Sequence, residues 1–280
     1  MKKYLRHVLI ILSALVLYGI YIVIMPVLNQ PLYVLLLVYA AIIALFYFLN
    51  RRSIWALRGN YFYLTGHYKR SRPILKKAVM SGTKSPAAYI HYALLLLTED
   101  KNTADALIML EKAEAISTSV VDKRNILTTR ATCHWTDGNR DKAIEVFENM
   151  RDAQEYVNEG VLTTLGYMYL TIKDFDKAIE ITRLAMETGP GYGAAWDNMG
   201  QIYFRMGDML AAKENFLAAL SKKENLADSN FYLGIIAEAD GDKSAAKEYF
   251  RRASICSVGM FNSVTSEQLE EKYNEYHYHT

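Results

Sequence analysis

Three stretches of this 280-residue chain carry side chains whose types and spacing could support chemistry. Cys133-His134 is the one adjacent cysteine–histidine pair, offering a thiolate and an imidazole to a metal or a nucleophilic reaction. A zinc site needs three or four ligands, and Cys256, the other cysteine, is remote in sequence. Gly82-Thr83-Lys84-Ser85 has the look of the end of a phosphate-binding loop. It lacks a glycine next to the lysine, the upstream glycine and a preceding strand. Gly189-Pro190-Gly191-Tyr192-Gly193 is glycine-rich but reads as a turn, and His277 and His279 read as part of a frayed, solvated end. No Ser/His/Asp or Cys/His set follows from spacing. The expectation is a chain that is not an enzyme, with no catalytic residue, cofactor or metal.

The elements that would carry any function are set by composition. Half the residues are hydrophobic and 22% are charged, which argues against disorder. Two cysteines exclude a disulfide scaffold. The net charge of +2 hides a segregation: residues 1–98 hold twelve basic side chains and no acidic one, leaving the remainder at −10.

Val8 to Leu28 is an uncharged run of 21 residues, and Leu32 to Leu49 a second of 18. Each is long enough for a helix to cross a bilayer core, where backbone groups must be satisfied internally. The first run is too long for the apolar region of a signal peptide and lacks a small-residue cleavage site. The short Asn29-Gln30-Pro31 linker allows only an antiparallel hairpin. Lys2, Lys3 and Arg6 before the hairpin, and Arg51, Arg52 and Arg58 after it, place both termini on the cytoplasmic side. The simplest address is a prokaryotic plasma membrane.

Beyond residue 50 the chain repeats. Gly166, Gly200 and Gly234 recur every 34 residues, as do Ala178, Ala212 and Ala246, and Ala185, Ala219 and Ala253. Phe216 and Phe250 share the period, as do Gly207 and Gly241. Small residues at one set of positions and large ones (Trp196, Tyr203, Phe216) at another suit closely packed helix pairs that bury a core only when stacked. Trp196-x-x-Met199-Gly200-x-x-Tyr203 followed by Ala212-x-x-x-Phe216-x-x-Ala219 resembles the tetratricopeptide repeat family. The resemblance implies an all-α, right-handed superhelical solenoid. Six copies are expected at about 52–85, 86–120, 124–157, 159–192, 193–226 and 227–260, after a transmembrane hairpin at 1–50 with helices near 8–28 and 32–49. Arg58 and Arg130 stand where the family usually has leucine. Residues 264–280 are expected to give a capping helix and tail. Thr265 with Gln268 makes a capping-box signature, Val264 with Leu269 a staple, and Leu269, Tyr273 and Tyr276 share one face.

The resemblance also implies a groove lined by the first helix of each copy. In register its residues are Asn125, Thr128, Thr132, Trp135, Thr163, Tyr167, Asp197, Gln201, Phe204, Arg205 and Phe231. Exposed aromatics among Thr, Asn and Gln suit a protein or peptide ligand; Trp135, Phe204 and Phe231 equally suit packing between repeats. A subfamily clamps a peptide's terminal carboxylate with Lys, Asn and Arg; here the matching positions include Ala56, Asn60, Ile90, His91 and Leu94, of which only Asn60 has that chemistry. The acid-free first copy suggests a membrane-surface patch of Arg51, Arg52, Arg58, Lys69, Arg70, Arg72, Lys76 and Lys77, held weakly by anionic lipid headgroups rather than by nucleic acid. Together these readings describe an adaptor tethered in the lipid bilayer that recruits a partner. The alternative is a subunit or assembly factor of a membrane complex, with Ala14, Gly19, Ala40, Ala41 and Ala44 allowing close helix contact.

Overall fold

The computed structural model describes residues 32–154 and 156–278, together with Ser13, Val16, Tyr18, Gly19, Tyr21 and Ile22, which are helical. The rest of the expected first span, its basic flank, the linker and His279 lie outside the described residues. Thirteen helices and no strand occur among the described residues. The chain divides into two units, residues 1–84 and 85–280.

The first unit contains α1 (Leu32–Leu64) and α2 (Tyr68–Met80). No glycine or proline interrupts residues 32–58, so nothing stops the helix where the apolar run ends. Consequently α1 is one helix of 33 residues, and the division expected at residues 50–52 falls inside it. Its first part exposes Leu36, Leu37, Ile42, Phe46 and Leu49, and Leu36–Leu64 is long and apolar enough to cross a membrane. Its last part packs on α2. A Cβ on Gly59 would lie 2.6 Å from Leu75, and the Ser71 hydroxyl donates to the Gly59 carbonyl at 2.9 Å. Arg51 lies 4.1 Å over the Phe48 ring, and Arg58 is exposed over Phe62 at 5.7 Å.

The second unit is built of five antiparallel pairs and a closing helix. The pairs are α3 (Pro86–Asp100) with α4 (Thr103–Glu114), α5 (Val120–Thr136) with α6 (Arg140–Ala153), and α7 (Glu159–Thr171) with α8 (Phe175–Thr188). They continue as α9 (Gly193–Met206) with α10 (Met209–Lys222), and α11 (Ala227–Ala239) with α12 (Lys243–Ser254); α13 (Ser266–Tyr278) closes the unit. Each pair packs most heavily within itself and then on its neighbours, as a stacked solenoid requires.

The period fixes both turns and contacts. Asp174, Asp208 and Asp242 start α8, α10 and α12, each accepting the backbone N–H three residues on. The residue before each takes positive φ: Gly207 at 88° and Gly241 at 77°, with Lys173 at 65° in the earlier copy. Across each of the last three pairs a glycine meets a large or branched side chain. A Cβ on Gly200 would lie 2.6 Å from Phe216, one on Gly234 2.6 Å from Phe250, and one on Gly166 2.5 Å from Thr182. Arg130, in a usual leucine slot, turns outward to an ion pair with Glu114 at 2.5 Å. At α13 the capping box closes in both directions: Thr265 N–H donates to Gln268 Oε1 at 2.8 Å, and Gln268 N–H to Thr265 Oγ1 at 3.3 Å. Val264 and Leu269 are buried in one cluster, and Tyr276 packs on Phe250.

Candidate functional site

The first helices of the last four pairs, α5, α7, α9 and α11, carry the residues expected to line the groove. Asn125 is exposed, and Thr128, Trp135 and Phe204 are half-buried. Thr132, Thr163, Tyr167, Asp197 and Gln201 are buried, so these five are not open to solvent in this state. Trp135 packs against the core, with Arg140 at 5.5 Å over its ring. Phe204 tilts on Tyr232 at 4.7 Å, and Phe231 meets Phe250 edge-on at 5.8 Å. Arg205 is exposed and donates to the Leu170 carbonyl at 3.2 Å.

Part of this face is covered by the chain itself. Between α12 and α13 the connector 255–265 returns across the first helices. Gly259 and Asn262 close a turn: Gly259 N–H donates to Asn262 Oδ1 at 2.6 Å, and Asn262 N–H to the Gly259 carbonyl at 3.3 Å. The turn's tip, Met260-Phe261, reaches α5 and α7. The Thr136 hydroxyl, which donates to the Thr132 carbonyl at 2.9 Å, lies 3.6 Å from Met260 Sδ, and the Phe261 ring stands edge-on to Tyr167 at 5.9 Å. The Tyr167 hydroxyl donates to the Asn262 carbonyl at 3.0 Å.

Asp228, in the first turn of α11, holds the other end. Its Oδ2 accepts from Asn262 Nδ2 at 2.6 Å. Its Oδ1 accepts from the N–H groups of Ser263 (3.0 Å) and Val264 (2.9 Å) and from Ser263 Oγ (3.0 Å). Burial raises the Asp228 carboxyl above the usual range, and these four donors pull it back by stabilising the charged form. The Tyr232 hydroxyl shares a 3.0 Å hydrogen bond with Ser263 Oγ. Asp228, Tyr232, Thr136 and the connector itself escaped the sequence reading.

A second buried carboxyl lies on the neighbouring helix. Asp197 on α9 accepts from Gln201 Nε2 at 2.8 Å and from the Ser229 hydroxyl. Burial first, and then the charge of Asp228, push Asp197 up to about 7. The sign of its effect on stability follows. An unfolded aspartate ionises near 3.9, so from about pH 4 to pH 7 the folded chain holds a proton that the unfolded chain has lost. This carboxyl therefore subtracts stability as pH rises through that window. Gln201 Oε1 has no partner, and a turned carboxamide would meet an N–H donor placed at Asp197. Asp197→Asn is expected to unfold at higher urea than the parent at pH 8, by at least about 1 kcal/mol, with the two converging near pH 4. Parallel unfolding curves across pH would contradict this.

Among the described residues no three His, Cys, Asp or Glu side chains group to hold a metal ion. Cys133 is buried, and burial pushes its thiol up to about 11, which removes nucleophilic character at neutral pH. The arrangement presents hydrogen-bonding and aromatic groups to another segment of chain.

Stacked antiparallel helix pairs with small residues at the crossings define a helical-repeat scaffold, a class that mediates protein–protein interaction. Residues 198–257 match the tetratricopeptide repeat family model. It is 26% identical over 156 residues to the TPR repeat-containing protein YpiA of Bacillus subtilis (strain 168). That match covers 55% of this chain and 35% of YpiA, so the chain spans about a third of this relative. The structure is similar to that of PilW, a type IV pilus biogenesis factor, with a TM-score of 0.58, 17% identity, and 79% of this chain and 98% of PilW covered. It is also similar to Cut9–Hcn1 of the APC/C, with a TM-score of 0.59, 16% identity, and 80% and 42% covered. At such identities the likeness is one of fold.

Proposed function

We propose that this chain is a membrane-tethered adaptor that recruits a protein partner to the cytoplasmic face of a prokaryotic plasma membrane. The observation that carries the reading is the continuity of α1. Its uncharged residues 32–49 span about 27 Å at 1.5 Å per residue, close to the thickness of a bilayer core. Large apolar side chains surround that part, which favours lipid over water. The same helix then supplies half of the first repeat, so the repeat is joined rigidly to its anchor. Tethering would raise the partner's local concentration beside membrane machinery without breaking any bond.

The basic patch supports the same address. On α2 the side chains of Lys69, Arg70, Lys76 and Lys77 are exposed, opposite the buried Ser71, Leu75 and Ala78. Each cation near an anionic surface gains about 1 kcal/mol. The test is fractionation with reporter fusions. The chain should stay with membranes in alkaline carbonate, and alkaline phosphatase fused after Thr280 should be inactive. Removing residues 1–49 should release it, and replacing Lys69, Arg70, Arg72, Lys76 and Lys77 by Gln should then lower its residual binding to anionic vesicles at least tenfold. Full release of the intact chain by carbonate, or an active phosphatase fusion, would overturn the proposal. Exchange of residues 1–49 for an unrelated hairpin separates a tether, which tolerates it, from a complex subunit, which does not.

A further inference from the structure

The first helices that carry the face hold buried hydrogen-bonding capacity that is unused. Thr163 Oγ1, one helical turn from Tyr167, and Gln201 Oε1, one turn from Asp197, are buried without a partner. Such atoms cost free energy that a better-fitting occupant would recover. The turn is also partly open to solvent. Met260, Phe261, Asn262 and Ser263 are only half-buried, and residues Ile255, Ser257 and Gly259 leading into it are exposed. Its grip consists of the edge-on ring contact, the Met260 sulfur beside Thr136, the buried Val264 and the hydrogen bonds to Tyr167, Tyr232 and Asp228.

We propose that Gly259–Val264 is an autoinhibitory turn, a resident occupant of the binding face that a partner's segment of like chemistry must displace. The proposal rests on the adaptor reading and adds to it the regulation and the ligand class. The contacts define that class: a turn with an aromatic residue followed by Asn and Ser. The ring meets Tyr167, the carbonyl after the ring takes the tyrosine hydroxyl, and the carboxamide with two successive N–H groups meets Asp228. A face built on carboxylates selects donors, so it disfavours acidic segments. Because the resident turn is covalently attached, its effective concentration is in the mM range. An external ligand of equal intrinsic strength therefore binds weakly until the turn is released.

The test uses the full chain in detergent and a fluorescent peptide of residues 257–266. Phe261→Ala with Asn262→Ala removes the ring and carboxamide contacts and should loosen the turn while keeping the helical circular dichroism, and this variant should bind the peptide at least tenfold more tightly than the parent. Adding Asp228→Ala should abolish that gain. Asn262→Ala alone, with a smaller gain, carries the test if the double variant loses helicity. Equal peptide affinity in parent and released variant, or no binding to a released variant of unchanged helicity, would overturn the inference. Either outcome would leave carbonate resistance and reporter topology as they are, so the adaptor reading stands or falls separately.

Discussion

Phe216→Ala is expected to cost about 3–5 kcal/mol. The ring is fully buried and serves two interfaces at once. Toward α9 it fills the space beside Gly200, whose missing Cβ would lie 2.6 Å away. Toward α11 it stacks on Tyr232 at 5.5 Å with an interplanar angle of 8°. The cavity left by alanine would be walled by a glycine backbone, which has no side chain to relax into it. The complementary change, Gly200→Val, forces two branches into the ring's place and is expected to cost about 2–3 kcal/mol after the helix-propensity gain. In a solenoid each repeat touches only its neighbours, so the damage should be regional. Urea unfolding with hydrogen exchange should show an early transition in which α9–α12 lose protection while α3 and α4 retain it. An unchanged urea midpoint for both variants would refute the packing scheme.

Asp228→Ala has the second large effect, and it is local. One carboxylate serves two backbone N–H groups, a carboxamide and a hydroxyl. Hydrogen bonds to a charged group contribute about 1.5–3 kcal/mol each and do not add fully. Removing the acceptor also leaves the Val264 amide, beside a buried side chain, without its partner. The amides of Ser263 and Val264 should then exchange at least a hundredfold faster, corresponding to about 2.7 kcal/mol, while the helices α7 and α9 stay protected. Loss of the Asp228 charge also relieves its neighbour, so Asp197 should ionise at lower pH in this variant. Unchanged exchange at Ser263 and Val264 would show that Asp228 does not hold the connector.

The fold was legible because packing repeats with the chain. The columns at Gly166, Gly200 and Gly234 and at Phe216 and Phe250 mark the helix crossings, and those glycines meet the large or branched residues facing them. The Thr265–Gln268 signature needed only local spacing, and it forms as a reciprocal pair. The continuity of α1 was visible in principle, since no helix breaker stands between Pro31 and Gly59. A change from apolar to charged residues alters a helix's surroundings and need not end it.

The connector across the first helices was not legible, for a physical reason. Residues 255–265 have no periodicity, and their contacts to Thr136, Tyr167 and Asp228 join positions 124, 95 and 34 to 36 residues apart. Register placed Tyr167 on the face but could not say what lies against it. One departure did carry a signal. Asp228 stands where the two preceding copies have Ala194 and Gly160, and a lone acid replacing small residues asks for a donor nearby.

The most direct test of the self-occupied face is a photo-crosslink from its tip. With benzoylphenylalanine in place of Phe261 in the full chain, irradiated in native membranes, the ring should insert into α7. Peptide mapping should recover an intramolecular adduct containing Tyr167, and Asp228→Ala should diminish it severalfold. A chain that crosslinks from position 261 without any adduct to α7 would contradict the account.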